Sequence, residues 1–221
     1  MSFGLDGVAA SLAWLDPWLA PLFTAWGVPV SQLECWAFLL SLAMVGFNLK
    51  VNVWGWPLAI VSSILYGLLF AHSKLYGEAS LQILFVLMSA WGWRQWLAGK
   101  GEDKQALRVR ALSMRSRMVA LSLTLLLWPA LGYVLEQVTD SDVPYLDALP
   151  TAGSVMGQWL LARKLIDNWP CWLLVNVISM GLFAYKQLWL TVLLYGIFAV
   201  LSAWGWRVWQ GMASTQAAEG R

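Results

Sequence analysis

Four side chains on one predicted helix face could recognise a small planar molecule. Trp172, Asn176, Ser179 and Phe183 follow one another at intervals of four, three and four residues, which places them on one helical stripe. The amide of Asn176 can donate and accept hydrogen bonds at once, and the Trp172 ring can stack on a planar or cationic group. This pattern predicts non-covalent binding rather than bond-making chemistry.

Neighbouring apolar segments carry similar polar or aromatic positions. Polar side chains within apolar spans usually face a bundle interior or a cavity. An uncharged amide near the middle of a span, such as Gln82, suits a hydroxylated or amide-bearing ligand. We predict eight substrate-binding residues: Asn48, Gln82, Gln158, Trp172, Asn176, Ser179, Phe183 and Tyr195.

Other polar residues in the spans have simpler interpretations. Four serines would allow close helix packing, with their hydroxyls tying helices together. These are Ser41, Ser89, Ser154 and Ser202. Glu34 and Asp147 lie near two helix starts, where they either cap the helix or form an outer gate. Both interpretations of these two acids stay open.

The chain lacks the side chains that most catalytic and metal sites need. It has a single histidine, His72, so we predict no metal site and no cofactor. No Ser-His-Asp or Cys-His set fits within one span, and we predict no catalytic residue and no enzyme activity. No ionisable residue lies at the centre of a span, which favours facilitated diffusion over coupling to protons or sodium.

The elements that must position these residues are apolar helices. The chain is 60% hydrophobic and only 12% charged, about half the charged fraction of soluble domains. Seven segments are long enough to cross a bilayer as helices. They are roughly 32–50, 54–71, 77–98, 117–138, 146–163, 168–186 and 188–210. Prolines interrupt residues 1–30, which predict a short interfacial helix anchored by Trp14, Trp18 and Trp26.

An internal repeat organises these segments. Ser-Ala-Trp-Gly-Trp-Arg occurs at 89–94 and again at 202–207, and 16 of 63 positions are identical between 34–96 and 147–209. Three spans reverse the direction of the chain and a fourth restores it, so the two triplets run parallel. The predicted fold is an all-α integral membrane protein of seven transmembrane helices, two parallel three-helix repeats joined by a fourth linker helix.

Five regions follow from this arrangement. In chain order they are an N-terminal interfacial segment (1–30), the first repeat (31–98), a basic cytoplasmic loop with the linker helix (99–145), the second repeat (146–210) and a cytoplasmic tail (211–221). With the loop inside, 12 of the 14 basic residues face the cytoplasm. The C-terminus is then cytoplasmic, residue 30 lies on the periplasmic side, and the basic loop faces lipid headgroups rather than nucleic acid.

Two stretches resemble the PnuC family of bacterial nicotinamide riboside transporters. They are Leu75-Tyr76…Leu81-Gln82 and Arg163-Lys164…Asn168-Trp169-Pro170-Cys171-Trp172-Leu173-Leu174-Val175-Asn176-Val177-Ile178-Ser179. The resemblance spans about 31–210. It implies a fold like that of the SWEET sugar transporters, a homotrimer in the inner membrane, and uptake of nicotinamide riboside. It also implies a cytoplasmic nucleoside kinase that traps the substrate by phosphorylation.

The predicted residues match this ligand chemically, with one central site between the two repeats. Trp172 and Tyr195 offer π faces to a cationic pyridine ring, and Asn176 and Gln82 offer hydrogen bonds to its carboxamide and ribose. Three alternatives stay open: another planar vitamin such as thiamine or riboflavin, a sugar, or a membrane sensor that binds a ligand without moving it.

Overall fold

The computed structural model describes residues 13–25, 27–72, 76–99, 107–138, 143–185 and 189–219. In this part of the chain each predicted apolar segment contains a long helix. The helices are α1 (Gln32–Leu49), α2 (Gly55–His72), α3 (Tyr76–Ala98), α4 (Met114–Val138), α5 (Pro144–Ala162), α6 (Asn168–Tyr185) and α7 (Trp189–Glu219). Long uncharged runs with a capping or proline signal at their starts account for these elements.

Four of these helices are long and apolar enough to cross a membrane when only the described residues are considered. They are α1, α2, α4 and, within α7, Val192–Gln216. The remaining three helices are long but more polar by this measure. The predicted arrangement of seven spans as three, one and three therefore stays a prediction.

The N-terminal segment differs from the predicted interfacial helix. Among its described residues, which begin at Ala13, Ala13–Leu15 and Asp16–Leu19 are helical, each about one turn, and an antiparallel hairpin follows, β1 (Pro21–Ala25) and β2 (Val28–Ser31). Gly27 adopts a φ of 81° in the hairpin turn, a conformation that glycine reaches without strain. Trp14 and Trp18 precede the hairpin in sequence and are exposed, whereas Trp26 falls outside the described residues.

The last helix is longer than its apolar run. It continues to Glu219, so most of the segment predicted as a tail, 211–221, is helical. Residues 211–219 contain alanine, methionine, glutamine and glutamate, which are good helix formers and need no apolar environment. The predicted end of this helix near residue 210 was therefore too early, because it depended on hydrophobic length alone.

The chain forms two compact units. The first contains residues 1–47 and 52–90, and the second contains residues 48–51 and 91–221. In the first unit α2 approaches α3 closely, because a Cβ added at Gly67 would lie 3.3 Å from Cβ of Gln82. In the second unit α4 packs on α5, α5 on α6, and α6 on α7.

The connection between the first two helices has the same backbone in each repeat. Its left-handed residue is Val51 (φ 52°) in one repeat and Lys164 (φ 53°) in the other. Val51 N–H donates to Asn48 O at 3.1 Å, and Lys164 N–H donates to Leu161 O at 2.9 Å. The four main-chain bonds that follow also recur, which shows that the duplication preserves geometry where the sequences have diverged.

Reciprocal tryptophan bonds join the ends of the repeats within the second unit. Trp209 Nε1 donates to the carbonyls of Asn48 and Leu49 at 3.1 and 3.2 Å, and Trp96 Nε1 donates to Leu161 O at 3.2 Å. The two indole centroids are 6.3 Å apart, and Trp169 meets Trp209 edge-on at 5.5 Å. These indoles add donors at helix C-termini, where carbonyls lack the usual bond from the amide four residues ahead. Asn48 O and Leu161 O thereby gain a second donor beside the turn amides of Val51 and Lys164.

A short extended strap, residues 107–112, crosses only the second of these connections. Arg110 N–H donates to Lys164 O at 3.3 Å, and Ile166 N–H donates to Arg110 O at 2.9 Å. Asp167 accepts from Leu112 N–H at 2.7 Å and from Arg117 Nε at 2.6 Å. The basic loop is thus attached to the second repeat at its C-terminal end.

Candidate functional site

Helix α6 carries the predicted stripe, and its polar members are buried. Asn176 is 5% exposed and Ser179 is 2% exposed, whereas Trp172 and Phe183 are half-buried. The start of α6 is fixed by Asn168, whose Nδ2 donates to Leu165 O at 2.6 Å. The four residues therefore share one inward face, as the spacing predicts.

Glycines on α5 allow α6 to approach closely at the stripe. A Cβ at Gly157 would lie 2.9 Å from Cε2 of Trp172, so the indole lies directly against the glycine. A Cβ at Gly153 would lie 2.5 Å from the Val175 side chain. Gln158, which follows Gly157 in sequence, is buried, and its Oε1 has no hydrogen-bond partner among the described residues. A buried amide oxygen without a partner is costly, which makes Gln158 a candidate acceptor for a ligand.

The side chain of Asn176 is held by a relay across two helices. Its Nδ2 donates to Ser202 Oγ on α7 at 3.2 Å, and Ser202 Oγ donates to Phe198 O at 2.7 Å. Ser202 is buried as well, so the relay is shielded from solvent. It orients the amide that the sequence singles out as the central hydrogen-bonding group.

An aromatic cluster continues from this relay. Phe183 and Tyr195 have ring centroids 5.1 Å apart at 31°, and Tyr195 meets Phe198 at 6.2 Å and 87°. Since Phe198 also accepts the Ser202 hydrogen bond, a continuous chain of contacts links Asn176, Phe183 and Tyr195. The structure thereby brings together three predicted residues from two helices, a pairing of amide and aromatic faces that suits a planar ligand.

Two other predicted binding residues are placed differently. Gln82 lies in the first unit and is half-buried against Gly67. Asn48 lies in the second unit at the end of α1, where its side chain is buried and its carbonyl accepts from Trp209. The main chain of Asn48 therefore takes part in the tryptophan bonds that join the ends of the repeats. Its spacing on α1 does not suggest this role.

The two candidate gate acids both lie in first helical turns. Glu34 N–H donates to Ser31 Oγ at 3.2 Å, so the capping serine precedes the acid on α1. Asp147 lies in the first turn of α5, and its carbonyl accepts from Thr151 Oγ1 at 3.0 Å. Both acids lie at the N-terminal, positive end of a helix dipole, which is the position that the capping interpretation requires.

The nearness of Arg163, Lys164 and Asp167 at one helix connection predicts a local ion pair, but the structure pairs Asp167 with a residue from outside this cluster. Asp167 pairs with Arg117 from the first turn of α4, while Arg163 lies over the Trp159 ring at 4.2 Å. Lys164 lies over Trp96 at 5.0 Å, and burial lowers the pKa of its ammonium group. The two cations are therefore held by aromatic faces instead of by the neighbouring carboxylate.

A cavity of about 400 Å³ also lies in the second unit, away from the predicted binding residues. Its lining includes Arg117, Asp167, Trp206 and Gln210. The ion pair between Arg117 and Asp167 neutralises its polar wall. Among the described residues no group of three side chains could hold a metal ion.

Two tryptophans of the repeated signature are part of the buried core. The six signature tryptophans lie at span ends on the basic side, which favours an interfacial belt, and their repetition indicates a shared structural role. The belt is wrong for two of them, because Trp209 is 0% exposed and Trp96 is 6% exposed. Trp204 and Trp206 are exposed and remain candidates for the belt. The available signal was the repeat offset, which places Trp96 and Trp209 at matching positions and the helix ends near Leu49 and Ala162 at matching positions. Repeated buried donors need repeated acceptors.

Comparisons with known proteins agree over most of the chain. Residues 31–211 match the family described as nicotinamide mononucleotide transporter. The chain is 22% identical over 209 residues to the nicotinamide riboside transporter PnuC of Escherichia coli, covering 84% of this chain and 87% of that protein. It is 27% identical over 177 residues to the riboflavin/roseoflavin transporter RibM of Streptomyces davaonensis, covering 77% and 81%.

A solved structure shares the fold. A crystal structure of the vitamin B3 transporter PnuC superimposes with a TM-score of 0.69, at 20% sequence identity, over 97% of this chain and 92% of the other. At this identity the likeness establishes the fold alone.

Proposed function

The chain belongs to the nicotinamide mononucleotide transporter family, and on that premise we propose that it imports nicotinamide riboside by facilitated diffusion. Nicotinamide riboside carries a planar cationic ring, a carboxamide and ribose hydroxyls. A nicotinamide riboside transporter is among the similar proteins, which supports this ligand. Family membership makes the chain a membrane transporter. Its substrate and its transport mechanism are what we propose.

The observation that carries the proposal is the contact chain from Asn176 through Phe198 to Tyr195 and Phe183. It sets an amide beside aromatic faces with no ionised side chain in the chain of contacts. A cationic ring gains from aromatic faces, and its carboxamide gains from an amide partner. A site without a fixed countercharge binds such a cation weakly enough to release it.

Further residues complete the proposed site. Trp172 and Ser179 lie on the same face of α6, Gln158 supplies an unpartnered oxygen, and Gln82 and Asn48 would contribute from the first repeat. Glu34 and Asp147 are proposed to act in the outer gate. One substrate would thus meet residues of both repeats, in the parallel arrangement of three, one and three helices.

Uncoupled transport needs a separate step to retain the substrate. Proton- and sodium-coupled carriers usually hold carboxylates within the bilayer, whereas Glu34 and Asp147 occupy first turns of their helices. A cytoplasmic nucleoside kinase would trap the substrate, because a phosphate adds a charge of about −1.5 to −2 that an aromatic site does not favour. The proposal also includes a homotrimer in the bacterial inner membrane, with the C-terminus in the cytoplasm.

The test is flux of labelled nicotinamide riboside into liposomes that contain the purified full chain. We expect equilibration without an ion gradient, and at least a tenfold weaker affinity for Asn176→Ala. Ser62→Ala is the control, since Ser62 is buried but bonds only its own helix, to Ala59 O at 3.1 Å. Flux that strictly requires a proton or sodium gradient would refute the uncoupled mechanism.

A riboflavin carrier is the second candidate, because the chain is 27% identical to a riboflavin/roseoflavin transporter. Competition against labelled nicotinamide riboside by riboflavin, thiamine and glucose separates the possible ligands. Stronger competition by riboflavin than by unlabelled nicotinamide riboside would replace the proposed substrate. Binding without flux would indicate a sensor instead of a transporter.

A further inference from the structure

Ser202 belongs to the repeated signature but makes hydrogen bonds that its repeat mate does not. Its Oγ lies 2.7 Å from Phe198 O and 3.2 Å from Asn176 Nδ2. The matching serine, Ser89, is 0% exposed, and its Oγ has no partner among the described residues. The residue that matches Asn176 in the first repeat is Ser63, which offers no amide.

The proton count at Ser202 determines which end of the Asn176 amide it binds. A serine hydroxyl has one hydrogen and two acceptor lone pairs, and a carbonyl can only accept. The contact with Phe198 O therefore uses the single hydrogen of Ser202. Toward Asn176 the hydroxyl can only accept, so the NH2 group of the amide must face it, because a flipped amide would set two acceptors against each other.

The carbonyl end of Asn176 is consequently left for another partner. The side chain makes no further hydrogen bond with the described residues. Trp172 lies one helical turn before Asn176 on the same face, and Ser202 lies one turn after Phe198 on α7. A ring stacked on Trp172 would therefore lie about one helical turn from the Asn176 amide.

We propose that Ser202 is a positioning residue that makes Asn176 present a hydrogen-bond acceptor, so that the site selects a ring carrying a carboxamide and rejects the same ring carrying a carboxylate. This inference rests on the proposed function and names its basis for specificity. A carboxamide NH2 donates to Oδ1, whereas a carboxylate would meet an oxygen with no hydrogen between them.

The test compares two ligands that differ only at this substituent, nicotinamide riboside and nicotinic acid riboside. Equilibrium binding to the purified full chain gives their affinity ratio. Ser202→Ala frees the amide to rotate, and we expect the preference for the carboxamide to fall about tenfold, as expected when an unfavourable acceptor pair is relieved. Ser202→Thr keeps the hydroxyl and should restore the ratio. Ser89→Ala removes the matched serine and should leave the ratio unchanged.

The outcomes separate the two proposals. Wild-type protein that binds neither riboside overturns the proposed function and the inference with it. Wild-type protein that prefers nicotinamide riboside, together with an unchanged ratio in Ser202→Ala, overturns the inference alone. If Ser202→Ala does not fold, Ser202→Cys keeps the volume with a weaker acceptor. A wild-type ratio in that variant would then count against the inference, and a reduced ratio would support it.

Discussion

The two connections that follow the first helix of each repeat share a backbone but differ in what surrounds them. Residues 47–58 and 160–171 share five main-chain bonds and have a left-handed residue at the same place. The strap, residues 107–112, bonds only the second of them. The signature tryptophans contact the preceding helix end in both cases.

This difference shows that duplication preserves the geometry of a turn while its tertiary contacts diverge. The position after each left-handed residue must bond backward to the helix end, whatever its side chain. The strap comes from the linker between the repeats, so only one connection can receive it. The comparison leads to four predictions, in order of decreasing size.

Trp209→Ala should have the largest effect. It removes a fully buried indole and the donor to two helix-end carbonyls. The expected loss is about 3–5 kcal/mol of unfolding free energy, measured by thermal unfolding of the detergent-purified chain. Trp206→Ala on the same helix should cost far less, since Trp206 is exposed. Equal melting temperatures for the two variants would contradict a stabilising role for the buried Trp209 indole.

Asp167→Ala should loosen the strap without disturbing the turn itself. It leaves Leu112 N–H and the Arg117 guanidinium without their carboxylate, at a cost of about 1–3 kcal/mol. Faster hydrogen exchange at Ile166 and Arg110 should report the change. Trp54 occupies the matching position in the first repeat, where it is exposed, so Trp54→Ala should leave exchange at these amides as in the wild type.

Val51→Gly should stabilise the chain slightly. A β-branched residue in the left-handed region is strained, and glycine removes this strain at some entropic cost. The expected net gain is up to about 1 kcal/mol. Lys164→Gly should gain less, because lysine is not β-branched and is less strained in this region than valine. A larger gain from Lys164→Gly in parallel thermal melts would contradict strain at Val51 as the main effect.

Lys164 should also give a small pH dependence. Burial lowers its pKa below the ordinary value of 10.5, so the unfolded chain binds more protons between the folded and unfolded pKa values. Stability should therefore rise with pH across that window and level off above it. The measurement is the melting temperature of the wild type minus that of Lys164→Gln, followed as the pH is raised through the alkaline range. A difference that falls as the pH rises would contradict the prediction.

The helices could be predicted because their physical cause is local. An apolar run of sufficient length predicts each helix, and the four-three-four spacing placed Asn176 and Phe183 on one face. The N-terminal hairpin was missed because Gly27 was not read as a turn signal. Asp167 was given the wrong partner, since Arg117 is 50 residues away in sequence and no spacing rule connects them.

The sequence alone determined the apolar segments, the offset between the repeats, and the amide and aromatic residue types of the candidate site. Those features depend on hydrophobic length and helical period, which are properties of neighbouring residues. Only the tertiary structure decided that Ser202 bonds Asn176 while Ser89 Oγ has no partner among the described residues, and that Trp209 bonds the end of α1. The reason is that a hydroxyl or an indole N–H takes its role from the acceptor that packing brings within 3 Å or so of it, and the same signature meets different partners in the two repeats.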